Sequence, residues 1–158
     1  MPDEATVKAL ALEHCRRINA RDLDGLLRLY SPDVRFEDPV GSGVRQGHEA
    51  MRAHATGAIA TGVRELPGDP VATLDGRHAA VPVVGVLPYI RGNPLTTALG
   101  LPEAPAGDHG KVLRIDYVMV IAVGADGLID EMQSYWGTDE ITVADRFDVP
   151  MEATDARG

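Results

Sequence analysis

Two carboxylates that could do acid–base chemistry stand together in the stretch RFEDPVGSG, where Glu37 and Asp38 precede a proline- and glycine-rich turn. The residues before them alternate between two strand faces, so Asp38 shares the inward face with Val34 and Phe36. Glu37 then points to solvent. Burial among apolar groups raises the pKa of a carboxyl group, which can then exchange a proton near neutral pH. The alternative is that Asp38 caps the turn, and spacing alone favours this alternative.

Glu65, in the short strand VREL at 63–66, is the second candidate carboxylate. It shares a strand face with Val63, while Leu66 lies on the other face together with Arg64. Both faces therefore carry an apolar residue, and the inward face is ambiguous. The pattern by itself favours a Glu65 that points to solvent.

Three further side chains could reach a cavity. His14 lies on the apolar stripe of the first predicted helix, where a lone histidine is more often packed and satisfied than catalytic. Asp116 shares a strand face with Arg114, which predicts a solvated ion pair between them. Trp136, at the end of the last predicted strand, suits either core packing or a cavity wall.

Motifs for metal, nucleotide or covalent serine chemistry are missing from the sequence. It contains no GxGxxG before a helix, no phosphate-binding loop and no GxSxG. The run HEAMRAH is not HEXXH, the spacing of His48 and His54 does not suit a helical metal site, and Cys15 has no CxxC partner. We therefore expect neither a metal nor a cofactor.

The composition predicts a single-domain cytoplasmic protein. The chain has 158 residues, of which 44% are hydrophobic, and a formal net charge of −9. This acidity argues against nucleic acid or an anionic membrane surface as the main partner. The one cysteine excludes an internal disulfide. The N-terminus MPDEATVKAL lacks the apolar region of a signal peptide, and no apolar run reaches the length of a membrane span.

The hydrophobic periodicity predicts an α+β fold, in which helices pack on one face of a curved, mainly antiparallel sheet and leave a cavity between the layers. The predicted helices cover residues 4–20, a short segment beginning at Asp22, and 47–60. The predicted strands cover 34–38, 63–66, 71–75, 78–90, 112–123 and 128–136. Residues 91–110 are expected to form a long loop that packs as a lid or against another subunit. We assign 1–137 to one domain and expect the acidic tail 138–158 to fray.

The run INARDLDGLLRLYSPDVRFEDPVGSGVRQGHEAMRAH, together with VGADGLIDEMQSYWG, resembles the ketosteroid isomerase group. The resemblance implies the cone-shaped fold of nuclear-transport-factor-2-like (cystatin-like) proteins, a bent sheet wrapped by three helices. Asp38 matches the catalytic carboxylate of that group. Ketosteroid isomerase also holds its oxyanion with a tyrosine and a protonated aspartate. His14 and Met119 stand in those two places here, so the resemblance does not imply steroid isomerisation.

A closer resemblance is to the polyether epoxide-opening cyclases, the epoxide hydrolase-like enzymes of lasalocid- and monensin-type ionophore assembly. The phrases that carry it are EHCRRIN, DGLLRLYSP, RFEDPVGS, RAHAT, DGRHAAV, IDYVMVI and DGLIDEM. In that family a paired aspartate and glutamate do the chemistry, and they fall on Asp38 and Glu65. The resemblance therefore turns Glu65 inward. It implies a cofactor-independent enzyme that forms cyclic ethers from a polyepoxide polyketide.

Epoxide opening of this kind needs one carboxyl to protonate the epoxide oxygen and another to deprotonate an internal hydroxyl. Because Asp38 has the more apolar sequence neighbours, we expect it to be the acid and Glu65 the base. The resemblance suggests a substrate-binding wall formed by His14, Tyr117, Met119 and Trp136.

Two other functions are compatible with the sequence: an isomerase-type proton transfer by Asp38 alone, and a non-catalytic partner that activates a paralogous cyclase. We expect a homodimer, or a hetero-oligomer with such a cyclase, because the valine-rich sheet face would otherwise be exposed.

Overall fold

The structure, a computed structural model, describes residues 2–150. In this range the chain forms four α-helices: α1 (Glu4–Asn19), α2 (Leu23–Leu27), α3 (Gly47–Ala60) and α4 (Pro94–Leu99). The first three confirm the predicted helices. Asp3 and Asp22 cap α1 and α2, since their side chains accept the backbone N–H groups of Thr6 at 2.8 Å and Gly25 at 2.9 Å.

The strands of the described residues form one sheet. They are β1 (Tyr30–Glu37), β2 (Arg45–Gln46), β3 (Arg64–Pro67), β4 (Val71–Ala72), β5 (His78–Pro88), β6 (Lys111–Val123), β7 (Ile129–Tyr135) and β8 (Ile141–Asp145). The order along the sheet is β2-β1-β7-β6-β5-β3, with β4 beside β5 and β8 beside β6. The β1–β7 pair is parallel, and the other pairs in this part of the chain are antiparallel. The predicted α+β class with a mainly antiparallel sheet is confirmed.

The core lies between the sheet and the helices. Helix α1 packs on β3, β5 and β6, and α3 packs on β1. The buried stripe of α1 is Val7, Ala11, His14, Cys15 and Ile18, which has helical spacing. Among the described residues, no helix combines the length and the apolar character that crossing a membrane requires.

The segment predicted as a long loop, 91–110, contains the short helix α4. Asn93 is 2% exposed and anchors this helix. Its Nδ2 donates to the carbonyl oxygens of Thr61 at 3.0 Å and Pro88 at 2.9 Å, and its Oδ1 accepts the N–H of Leu95 at 3.0 Å. One buried side chain thus ties α4 to the end of α3 and to the end of β5.

The structure differs from the expected frayed tail. Residues 138–140 form a 3₁₀ turn, and β8 pairs with the first half of β6, from Lys111↔Asp145 to Ile115↔Ile141. The reason is that β7 pairs only with the second half of β6, from residue 118 onward. Strand β8 completes the backbone hydrogen bonding that β7 leaves open. The rest of the predicted tail, 151–158, lies outside the described residues.

Candidate active site

A cavity of about 410 Å³ lies between the sheet, α3 and α4, and both predicted catalytic carboxylates line it. Most of its wall is apolar or small: Pro39, Ala53, Gly57, Ala58, Val63, Leu87, Pro94, Leu95, Ala98 and Ile115. Pockets of this size and character suit small apolar ligands that a few polar groups orient. Helix α4 contributes Pro94, Leu95 and Ala98 to this wall.

The two adjacent carboxylates at the end of β1 have different partners. Oε2 of Glu37 accepts the backbone N–H groups of Gly41 at 3.0 Å and Gly43 at 3.1 Å. Glu37 therefore holds the turn together, and the interpretation of Asp38 as the turn cap is wrong. Asp38 lies on the inward side, as the alternation predicted.

Each carboxylate oxygen of Asp38 accepts one hydrogen bond. Trp136 donates its Nε1–H to Oδ1 at 2.9 Å, and the imidazole Nε2 of His54 lies 2.9 Å from Oδ2. Burial by itself raises the pKa of Asp38, but the interactions with His54, Trp136 and His14 together outweigh it and hold the pKa below the usual value of 3.8. This environment favours the ionised form of Asp38 at neutral pH, whereas the apolar sequence neighbours led us to expect the protonated form. The sequence showed the apolar neighbours of Asp38 but not the two distant N–H donors.

The backbone of Glu65 is fixed on both sides of β3. On one side Glu65 pairs with Gly85 of β5. On the other, Asn19 at the end of α1 donates its Nδ2 to the Glu65 carbonyl at 2.8 Å and accepts the Glu65 N–H at 2.7 Å. The amide of Asn19 thus continues the sheet where β3 is an edge strand. Glu65 is 9% exposed, so the pattern-based interpretation of a solvent-facing Glu65 is wrong and the inward orientation is confirmed.

One oxygen of the Glu65 carboxyl group accepts a hydrogen bond, and the other is buried without one. Tyr117 donates its hydroxyl to Oε1 at 2.8 Å. Oε2 is buried and has no hydrogen-bond partner within residues 2–150, and His14 Nε2 lies 3.6 Å away. Burial, reinforced by the charge of Glu65, raises the pKa of Tyr117 well above 10, so its hydroxyl remains a donor. The environments of Glu65 and Asp38 are therefore chemically different.

Gly85 makes the contact between Tyr117 and Glu65 possible. In the sheet Gly85 lies opposite Glu65 on one side and opposite Ile115 on the other. A Cβ atom at Gly85 would lie 3.4 Å from Cε1 of the Tyr117 ring. The missing side chain lets the ring lean across β5 towards β3.

Two of the four residues predicted to bind substrate line the cavity, and two do not. Tyr117 and Trp136 are part of its wall. His14 is buried behind Glu65, with its Nδ1 2.6 Å from the Tyr30 hydroxyl. Met119 is 1% exposed and belongs to the hydrophobic core. The substrate-binding prediction is thus not supported for His14 and Met119, because the described cavity wall does not include them.

His54 and Arg45 are the polar wall residues that the sequence analysis missed. His54 had been considered only as a metal ligand. A recognisable signal was present, however, because His54, Gly57, Ala58 and Thr61 recur at helical spacing, and all of them line the cavity. Arg45 donates from Nη2 to His54 Nδ1 at 3.1 Å.

Asp116 does not line this cavity. Asp116 accepts three hydrogen bonds from Arg114, at 3.3, 3.0 and 2.9 Å, as expected for the predicted ion pair. A larger hollow, of about 830 Å³, is lined by Asp116 and Val118 and shares Tyr117 and Trp136 with the cavity, but neither catalytic candidate lines it. Within the described part of the chain, no three His, Cys, Asp or Glu side chains are grouped as metal ligands.

Comparison with known proteins places the chain in a family. Residues 11–132 match the family of SnoaL-like domains. The chain is 55% identical over 147 residues to "Epoxide hydrolase LasB" of Streptomyces lasalocidi, which confirms the resemblance to polyether epoxide hydrolases. That alignment covers 91% of the chain and 52% of LasB, so the chain spans about half the length of this relative.

Two solved structures have a similar fold. One is SalBIII, described as an epoxide hydrolase/cyclase-like enzyme in pyran ring formation in the polyether salinomycin. It has a TM-score of 0.73 and 27% identity, covering 91% of this chain and 100% of SalBIII. The other is RV0760c of Mycobacterium tuberculosis, in complex with estradiol-17β-hemisuccinate. Its TM-score is 0.69 with 21% identity over 87% of this chain and 98% of its own, which shows the fold alone.

Proposed function

The chain belongs to the SnoaL-like domain family, and we propose that it is a cofactor-independent epoxide hydrolase/cyclase of polyether biosynthesis. In this proposal it forms cyclic ether rings from a polyepoxide polyketide. The similarity to LasB and to SalBIII supports the reaction class. The observation that carries the proposal is that two carboxyl groups with different partners face one apolar cavity.

The placement of the two carboxyl groups suits epoxide opening. Asp38 follows β1 and Glu65 lies in β3, and three strands separate β1 from β3 in the sheet. A substrate chain held between them would meet one carboxyl on each side. Such an arrangement is what ring closure requires, because the hydroxyl attacks from behind the C–O bond that breaks. Holding the hydroxyl and one epoxide carbon together supplies much of the rate and selects the ring size.

We assign the base to Asp38 and the acid to Glu65, the reverse of the sequence-based expectation. Asp38 is ionised and accepts one N–H on each oxygen, which leaves other lone pairs for a substrate hydroxyl. The acid must then be the second carboxyl of the cavity. Glu65 lines this cavity, and Tyr117 donates to its Oε1.

The reaction then proceeds without an added reagent. Asp38 removes the proton from an internal hydroxyl, the oxygen attacks an epoxide carbon, and the C–O bond of the epoxide breaks. Glu65 gives its proton to the oxygen that leaves. The product is an isomer of the substrate, and the two carboxyl groups end with their protonation exchanged. Proton transfer through solvent or the next substrate resets them.

The test uses a synthetic hydroxy-bisepoxide, incubated with wild type, Asp38→Asn and Glu65→Gln and resolved by mass and ring size. We expect a cyclised product of unchanged mass, with its rate lowered about 10²- to 10⁴-fold in each variant. Product heavier by one water would assign hydrolysis instead of cyclisation. Unchanged turnover in either variant would contradict the paired-carboxylate mechanism.

The same variants distinguish the other functions. Turnover of a 5-ene-3-ketosteroid that survives Glu65→Gln would identify an isomerase that uses Asp38 alone. Stimulation of a paralogous cyclase by Asp38→Asn, equal to that by wild type, would identify a non-catalytic activating partner.

A further inference from the structure

Arg45, His54 and Asp38 form a hydrogen-bonded chain at the wall of the cavity. Nη2 of Arg45 lies 3.1 Å from Nδ1 of His54, and Nε2 of His54 lies 2.9 Å from Oδ2 of Asp38. The side chains of His54 and Asp38 are 19% and 22% exposed. The chain thus begins at an exposed arginine and ends at the carboxylate of the proposed base.

The chemistry of arginine fixes the direction of both hydrogen bonds. A guanidinium group has donors and no acceptor, so Nδ1 of His54 must accept the bond from Arg45. A neutral imidazole whose Nδ1 is an acceptor carries its proton on Nε2. His54 therefore presents an N–H to Asp38. The contact at 3.1 Å thus selects one of the two tautomers.

We propose that Arg45 is a positioning residue that fixes the tautomer of His54, so that His54 always donates to Oδ2 of Asp38 and leaves this carboxylate ionised and oriented for proton abstraction. The inference rests on the proposed function, in which Asp38 is the base.

The fold places Arg45 and His54 around one buried ring. Phe36 is 1% exposed, and the β1–β2 register pairs it with Arg45. The guanidinium carbon lies 5.2 Å from the centre of the Phe36 ring, and the His54 ring centre lies 5.4 Å from it. A cation over an aromatic face is favourable at this distance. Phe36 thus holds the donor and the acceptor of the first hydrogen bond in place.

Without Arg45, two other states of His54 become available. The opposite tautomer would set the Nε2 lone pair against a carboxylate oxygen, which is repulsive unless Asp38 takes up a proton. Alternatively, the imidazole would take a second proton on Nδ1 and form an ion pair with Asp38, which weakens the base. Both states add a proton to the His54–Asp38 pair. The pair would therefore become protonated at a higher pH.

Other titratable and hydrogen-bonding groups also surround Asp38. His14 of α1 stabilises its charge, and Trp136 donates to it from beyond the end of β7. Glu65 of β3 lines the same cavity, and the charge of Asp38 acts on the phenols Tyr30 and Tyr117. These groups are the same in wild type and in an Arg45 variant, so a change between the two reports on Arg45.

The first test reads the tautomer directly and does not need turnover. Protein labelled with ¹⁵N-histidine has five imidazoles, and the loss of one set of signals in His54→Gln assigns His54. We expect an unprotonated Nδ1 and a protonated Nε2 at neutral pH in wild type. In Arg45→Met, which removes the donor and keeps a long side chain, we expect a tautomer mixture or a doubly protonated ring. The same spectrum in both proteins would overturn the inference.

The second test uses the pH dependence of cyclisation. In Arg45→Met the acidic limb of kcat/KM should move upward by about one pH unit, the size expected when one hydrogen bond to a charged group is lost. A glutamine at position 54 offers an N–H donor that has no tautomer to fix. Arg45→Met should therefore have little effect in the His54→Gln background. An equal effect in both backgrounds, or a change in KM alone, would mean that Arg45 contacts the substrate and would overturn the proposal.

Failure of this inference and failure of the proposed function give different results. A fixed tautomer that is lost in Arg45→Met, combined with no epoxide turnover by wild type, would support the positioning of Asp38 and contradict the cyclase proposal. Turnover by wild type with an unchanged pH profile in Arg45→Met would support the cyclase proposal and contradict the positioning role of Arg45.

Discussion

The indole Nε1 of Trp136 lies 2.9 Å from Oδ1 of Asp38, although 98 residues separate the two in the sequence. The parallel pairing of β1 and β7 brings them together. Glu37 pairs with Gln133, and the Val40 N–H donates to the Ser134 carbonyl at 2.9 Å, so the pairing continues past Asp38. The proposed base is therefore held by two neighbouring strand ends and by the indole that follows one of them.

Replacing Trp136 with phenylalanine should weaken the base without emptying the cavity wall. The change removes the N–H donor and keeps an apolar ring, so the carboxylate of Asp38 loses one of its two stabilising hydrogen bonds. We expect kcat/KM near pH 5 to fall about tenfold, with a smaller loss at pH 8, because one hydrogen bond to a charged group has about this size. Rate measurements across pH check this. Trp136→Ala is the comparison for lost packing, and a pH-independent loss in Trp136→Phe would contradict the role of the N–H.

The stability of the fold should depend on the ionisation of Asp38. Its pKa is lowered in the folded protein, so the stabilisation is fully present above the unfolded value near 3.8 and is lost as the pH falls through the folded value. We expect the free energy of unfolding of wild type to fall towards that of Asp38→Asn as the solution is acidified below about pH 4. Urea unfolding of both proteins at several pH values measures the difference. A difference that is constant with pH would show that Asp38 is not stabilised in its ionised form.

The space at Gly85 should control the Tyr117–Glu65 hydrogen bond. A methyl group there meets the Tyr117 ring at an ordinary contact distance of 3.4 Å, so Gly85→Ala should be tolerated. The larger, branched side chain of Gly85→Val does not fit in this space and should displace the Tyr117 ring. We expect Gly85→Val, but not Gly85→Ala, to lower cyclisation about tenfold, as one lost hydrogen bond to a charged or acidic group would. Tyr117→Phe gives the reference value for losing the hydroxyl, and equal rates in both Gly85 variants would contradict the prediction.

Asn19 should stabilise β3 through the backbone of Glu65. Asn19→Ala removes two hydrogen bonds, and we expect a loss of about 1–3 kcal/mol in the free energy of unfolding. Hydrogen exchange should also become faster at the Glu65 amide, which donates to Asn19. Arg16→Ala is a suitable control, because its exposed side chain lies on the same turn of α1 and pairs only with Glu13 among the described contacts. Similar exchange rates in the two variants would rule out the role of Asn19.

Cys15 should report on opening of the layer between α1 and the sheet. Burial, together with the charge of the neighbouring Glu65, raises the pKa of its thiol, and the residue is 1% exposed. The native protein should therefore not react with a thiol reagent such as DTNB at pH 8, whereas denatured protein should react with one equivalent. Because the sequence has one cysteine, the measurement needs no other variant. Rapid reaction of native protein would show that α1 opens readily.

Much of the fold follows from local signals in the sequence. Helices α1 and α3 were predicted within about one residue, because their apolar spacing is a local feature. The start of α2 followed from the cap at Asp22, but α2 ends at Leu27 and Tyr30, which was predicted to belong to it, begins β1. The inward direction of Asp38 followed from strand alternation. The paired role of Asp38 and Glu65 came from a resemblance, and it remains a proposal.

Only the tertiary structure decided which side chains contact Asp38 and Glu65. The proton donors of Asp38 come from α3 and from beyond β7, and the orientation of Glu65 depends on Asn19 of α1 and on Tyr117 across Gly85. Each of these contacts joins residues that are distant in the chain, so composition and periodicity contain no signal for them. The sequence by itself placed an aspartate among apolar neighbours, from which a raised pKa follows. The folded structure surrounds the same carboxylate with two N–H donors, which lower its pKa and support the proposal that Asp38 is the base.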